Sequence, residues 1–114
     1  MAALGNDRTM PKYTVMIFTR AHKGREAEFD QWYEDTHVDD VLATAPGWTS
    51  GQRFNLVHQA GLEMPSPHLA LYEADGESPQ AVLRTLNETR HNREISDSMD
   101  ASDFAMWVFD EAGQ

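Results

Sequence analysis

The residues with the most chemistry lie in one stretch, Phe29-Asp-Gln-Trp-Tyr-Glu-Asp-Thr-His-Val-Asp-Asp-Val-Leu. Within it Phe29, Trp32, Tyr33, Thr36, His37, Asp40 and Val41 recur at helical spacing and share one face. His37 comes one turn after Trp32 and Tyr33, on the face expected to point at a sheet. An imidazole held among aromatics, with an ordinary pKa near ~6.5, is a candidate general base or acid. Asp40 follows at i+3. If the helix continues, its carboxylate can hold one ring nitrogen and fix the tautomer. The sequence leaves open whether Asp39 or Asp40 faces the ring. The plainer alternative is a core histidine bonded to a backbone carbonyl, with Asp39 or Asp40 capping the next turn.

Other side chains qualify more weakly. Trp32 and Tyr33 at helical spacing also fit a plain core, as do Tyr72 and Trp107. Tyr72 adds a hydroxyl that needs a partner if buried and can donate to a developing oxyanion. Arg53 suits either a carboxylate or phenolate ligand or, more simply, a cross-strand or intersubunit ion pair. His91 sits beside Arg90 and Arg93 at a helix end, where the dipole favours cations. The expected small-molecule pocket therefore comprises Phe18, Trp32, Tyr33, Arg53, His91 and Trp107, with His37, Asp40 and Tyr72 as the catalytic set. The histidines at 22, 37, 58, 68 and 91 make no H-x-H or H-x-x-x-H pair. Asp39-Asp40 has no ligand-rich loop around it. No phosphate-binding glycine loop and no nucleophile elbow occurs. Neither a metal nor an organic cofactor is expected.

The elements that must position these residues follow from pattern. Tyr13–Thr19 is rich in β-branched and aromatic residues and reads as a strand. After the polar break at 21–24, a helix is expected from about Arg25 to His37, with a further turn or short helix to Thr44. Ala45-Pro46-Gly47 ends it. Gln52–His58 reads as a second strand, 59–67 as a loop and His68–Glu73 as a third strand. Ser78-Pro79 opens a second helix with Ser as N-cap, and Val82, Leu83 and Leu86 form its apolar stripe. Asp103–Phe109 is the last strand. The order β-α-β-β-α-β predicts a ferredoxin-like α+β fold, an antiparallel four-stranded sheet with two helices on one face. Residues 1–10 read as a flexible arm and 11–114 as a single domain.

The first and last strands are apolar on both faces, yet two helices cover only one. A second copy of the chain, sheet against sheet, is the economical cover, so a homodimer is expected. The chain has 114 residues and a formal charge of -10, from 9 Lys+Arg against 19 Asp+Glu. That field repels nucleic acid and anionic lipid. No apolar run approaches the roughly 20 residues of a membrane helix, and residues 1–10 carry no signal-peptide stretch. Cysteine is absent. A cytoplasmic protein is the expectation.

Taken together, an opening strand (Tyr13–Arg20), Gly24, Phe29-x-x-Trp32-Tyr33-x-x-x-His37, then Pro46-Gly47 leading into Arg53, resemble the EthD-type proteins of the dimeric α+β barrel superfamily. The resemblance covers about residues 12–110, and its specific part is residues 29–53. It implies a cavity between sheet and helices in each protomer of a dimer. Superfamily relatives include cofactorless cyclases, quinone-forming monooxygenases, isomerases, dehydratases and haem enzymes. His37 matches the motif histidine. His91 falls near a cyclase histidine, but Arg90-His91-Asn92-Arg93 lacks the accompanying histidine and aromatic. The expected activity is cofactor-independent acid–base chemistry on a small apolar, aromatic or polyketide-like molecule, of lyase, isomerase, dehydratase or cyclase type. The alternatives are an auxiliary or binding protein for a hydrophobic metabolite and a cofactorless oxygenase of phenols.

Overall fold

Strand β1 (Lys12–Thr19) lies inside the sheet because its side chains are apolar on both faces. The computed structural model describes residues 10–112, so the expected arm at 1–10 lies almost wholly outside the described residues. β2 (Trp48–Asn55), β3 (His68–Asp75) and β4 (Ala105–Phe109) complete a sheet in the order β2-β3-β1-β4. Every pairing is antiparallel, with Val15 opposite Tyr72 on β3 and Val108 on β4. The fold is α+β, compatible with the ferredoxin-like arrangement.

One helical run crosses the sheet. It comprises α1 (Glu26–Trp32), a π-helical turn (Tyr33–His37) and α2 (Val38–Thr44). Acidic Glu26 and Glu28 suit its positive N-terminal end. Helix α3 (Pro79–Glu88) begins as expected: Ser78 Oγ accepts from the Ala81 N–H at 3.1 Å, and Pro79 occupies the first turn. A short 3-10 turn, Arg90–Asn92, follows. The helices bury Phe29, Trp32, Tyr33, Val41, Val82 and Leu86 against Tyr13, Val15, Ile17, Ala70, Tyr72 and Ala74 of the sheet.

Several element boundaries differ from expectation; the third strand runs on to Asp75 and the last begins at Ala105. The second strand begins at Trp48 rather than Gln52, because Gly47 (φ 89) makes a tight turn there. A side chain at Gly47 would meet the Asp75 carbonyl oxygen at 2.5 Å. That strand ends at Asn55, and the Leu56 N–H donates instead to the Pro67 carbonyl. The helical run reaches Thr44 as expected, and what the spacing does not announce is the wider π turn that joins its two parts, closed from the Val38 N–H to the Tyr33 carbonyl.

The opposite face of the sheet carries Met16, Phe18, Phe54, Leu69, Leu71, Trp107 and Phe109, by the strand registers. No helix lies over it among the described residues. Phe54, Trp107 and Phe109 stay exposed, whereas Phe18 is buried edge-on beneath Trp107 at 4.9 Å.

Candidate functional site

The site begins with the π turn. In an α-helix residue i+5 lies about 140° round from residue i. The wider turn, closed i to i+5, brings residue i+5 back over residue i. His37 is thereby stacked on Trp32 with ring centroids 4.5 Å apart, and Tyr33 meets it edge-on at 4.9 Å. The same turn sends Tyr33 and His37 to one wall of a cavity of about 350 Å³. Ile17 and Thr19 of β1, Val41 of α2 and Leu83 and Leu86 of α3 line it as well.

The remaining wall is a loop whose backbone is tied to the end of β1. The His22 N–H donates to Ser98 O (2.7 Å), the Asp100 N–H donates to Arg20 O (2.8 Å), and Ala21 pairs with Met99. Arg25 binds Glu28 Oε2 (2.6 Å) and Asp97 Oδ1 (2.7 Å), joining the start of α1 to that loop. These ties bring Met99, Asp100 and Phe104 to the cavity, and β4 adds Met106 opposite Ile17. They connect segments far apart in sequence, which is why the pattern of residues 96–104 gave no sign of a wall.

His37 Nδ1 is buried without a hydrogen-bond partner among the described residues. Burial lowers the pKa of the ring to about 4; the Arg93 charge adds to this, and Asp40 opposes it. The ring is therefore neutral at pH 7. Tyr33 stays protonated, since burial raises its pKa against the influence of Arg53, Tyr72 and Thr19. Burial and the neighbouring Tyr33 raise Tyr72 in turn. The Tyr72 hydroxyl forms no hydrogen bond of good geometry, as is also true of Trp32 Nε1 and Trp48 Nε1. Buried polar atoms without partners are exceptional in folded proteins.

The expected site residues separate into three sets. His37 and Tyr33 line the cavity, while Trp32 supports His37 and Tyr72 lies against Tyr33. Asp40 favours the charged ring electrostatically but makes no hydrogen bond to it, because Nδ1 is unpartnered and the bond made at Asp40 is from Thr44 Oγ1 to its carbonyl (2.6 Å). Asp39 is exposed. Phe18 and Trp107 correct the expectation, since strand alternation puts them on the far face of the sheet from His37.

Arg53 and His91 are corrected too. Arg53 points to the helical side but away from the cavity. Its Nη2 meets Asp30 Oδ1 at 3.2 Å, and its guanidinium lies 4.8 Å over the Tyr33 ring. His91 is exposed on the short 3-10 turn and does not line this cavity, but an open hollow beside it, with Asn87, Arg90, Arg93 and Ile95. The residue that the sequence reading missed is Arg93. Taken as decoration of a helix end, it does bond the end of α3, but it is 8% exposed and lines the cavity. The clue in the sequence was a pair of arginines three apart, just past an apolar helix, in so acidic a chain.

Among the described residues no cluster of three or more His, Asp or Glu is placed to hold a metal ion. No helix among them is long and apolar enough to cross a membrane. No family model matches the chain, and comparisons with curated proteins and with solved structures return no match.

Proposed function

We propose that the protein is a cofactor-independent acid–base enzyme of lyase, isomerase, dehydratase or cyclase type. Its substrate is a small apolar molecule, aromatic or polyketide-like, bound between sheet and helices. The observation that carries this reading is His37: a neutral ring on the wall of an apolar cavity, with Nδ1 buried and unpartnered. A neutral imidazole takes a proton from a C–H or O–H group. It then returns that proton to another carbon in an isomerisation, or to a departing hydroxyl in an elimination. Between apolar walls the imidazolium and the enolate or phenolate stabilise each other, which offsets the weak basicity of the empty site. Tyr33, held protonated beside Thr19, is the donor for the developing oxyanion. Acid–base catalysis of this kind contributes ~10²–10⁴-fold, and positioning supplies the rest.

The resemblance of residues 29–53 to EthD-type proteins supports the same reading. The apolar outer face of the sheet supports a homodimer closed through β1 and β4, the dimeric barrel arrangement. The absence of cysteine accords with a cytoplasmic setting. One observation favours a binding protein as the second reading: a ring with a pKa of about 4 serves well as a neutral hydrogen-bonding group.

The test incubates the protein and His37→Ala with phenolic and polyketide-like compounds, in air and without oxygen, with product masses as the readout. Oxygen-independent conversion that is lost in the variant is the expected result. Conversion that survives in His37→Ala would remove the histidine from the mechanism. A bound but unchanged compound would favour the binding protein, and oxygen-dependent conversion a cofactorless oxygenase.

A further inference from the structure

Acidic residues outnumber basic ones 19 to 9, so a buried arginine here has many carboxylates to choose from. Lys12, Arg20, Arg25 and Arg53 each have one within ion-pair distance. Arg93, buried on the cavity wall, has none among the described residues. Neutral oxygens hold it instead. Nη1 donates to Thr89 Oγ1 (2.8 Å) and Thr44 Oγ1 (3.1 Å), and Nη2 to the Leu86 carbonyl (2.6 Å). These bonds fix the guanidinium; the Asp40 carboxylate acts on it electrostatically but makes no ion pair with it. Arg90, exposed at the rim of the same cavity, also has no carboxylate within ion-pair distance among the described residues. The one acid on the lining, Asp100, has its Oδ1 engaged by the backbone N–H (3.0 Å) and the hydroxyl (2.7 Å) of Ser102.

A buried cation without a carboxylate at ion-pair distance is costly, and the cost is reduced when a bound anion pairs with it. The walls around Arg93 are otherwise largely apolar, among them Ile17, Val41, Leu86 and Met106. A planar guanidinium recognises a carboxylate better than it does a hydroxyl or carbonyl. Arg93 is also close enough to His37 to oppose its protonation, so one small ligand can reach both. We propose that the cavity takes a small apolar monocarboxylate, with the carboxylate held by Arg93 and Arg90 at the rim assisting its entry. This specifies the substrate class of the reading above and rests on it. Arg93 anchors the carboxylate while His37 and Tyr33 act on the apolar part.

Calorimetry with matched pairs tests this: benzoate and benzyl alcohol, naphthoate and naphthylmethanol, octanoate and octanol. At low salt at least one carboxylate is expected to bind about tenfold or more tightly than its alcohol, a difference of ~1.4 kcal/mol. Arg93→Gln should abolish that preference. Because Arg93 also ties α3 to α2, that variant risks unfolding. Arg90→Gln, altered at an exposed position, should keep the fold and weaken the carboxylate severalfold while leaving the alcohol unchanged. If no carboxylate outbinds its alcohol in the wild-type protein, the inference is overturned. Carboxylate preference without turnover would end the catalytic reading alone. Turnover without carboxylate preference would end this one alone.

Discussion

His37 should make the protein measurably less stable in mild acid. Burial favours the neutral ring, so the native state binds a proton less readily than the unfolded chain does. As pH falls below ~6.5 the unfolded chain takes up a proton that the native protein refuses. Stability then declines until the native ring also protonates, near 4. Linkage across that window gives a loss of roughly 3 kcal/mol between pH 7.5 and pH 4 that His37 alone accounts for. The assay is urea unfolding of dilute wild-type protein and His37→Gln at both pH values. Most other ionisable groups cancel in the difference between the two proteins. Ring-nitrogen NMR supplies the direct reading, with His37 expected to titrate close to 4. If the ring titrates at 6.5 or above and the variant loses as much stability as the wild type, the reasoning is refuted. The ring would then be solvated or paired with Asp40.

Three further substitutions probe what holds the site. Gly51→Ala would place a Cβ 2.7 Å from the Tyr72 ring and 3.1 Å from Val38, both well packed. It should cost about 1–3 kcal/mol in thermal or urea unfolding. Arg53→Met removes the Asp30 pair and the stack on Tyr33. It should lower stability by about 1–2 kcal/mol yet leave ligand affinity within twofold, because Arg53 does not line the cavity. Trp107→Asp puts a charge in the apolar outer face and should give a monomer by sedimentation where the wild type is a dimer. A wild-type monomer would remove the dimer proposal.

Local chemistry made much of this chain legible. The β-branched run of 13–19, the Ser78-Pro79 cap and the Pro46-Gly47 turn each fix backbone through neighbours in sequence, and each forms where expected. Aromatic spacing likewise placed Trp32, Tyr33 and His37 together. The π turn was not legible, because the spacing of Phe29, Trp32, Tyr33, Thr36, His37, Asp40 and Val41 also satisfies a regular α-helix. It is this turn that stacks His37 on Trp32.

Membership of the pocket was the part sequence could not supply. Phe18 and Trp107 are as aromatic as Tyr33, but which side of a sheet a side chain occupies counts only once the helices have chosen a face. Arg53 and Arg93 are the same residue type, and their surroundings separate them. Arg53 meets Asp30 across α1, whereas Arg93 is brought to an apolar cavity by bonds to Thr44, Thr89 and Leu86. By itself the sequence determined the elements, their order and the candidacy of His37, since those depend on residues a few positions apart. The tertiary structure decided the lining of the cavity, the depressed basicity of His37 and the lack of an ion pair at Arg93. Burial and charge proximity are properties of segments that meet only after folding.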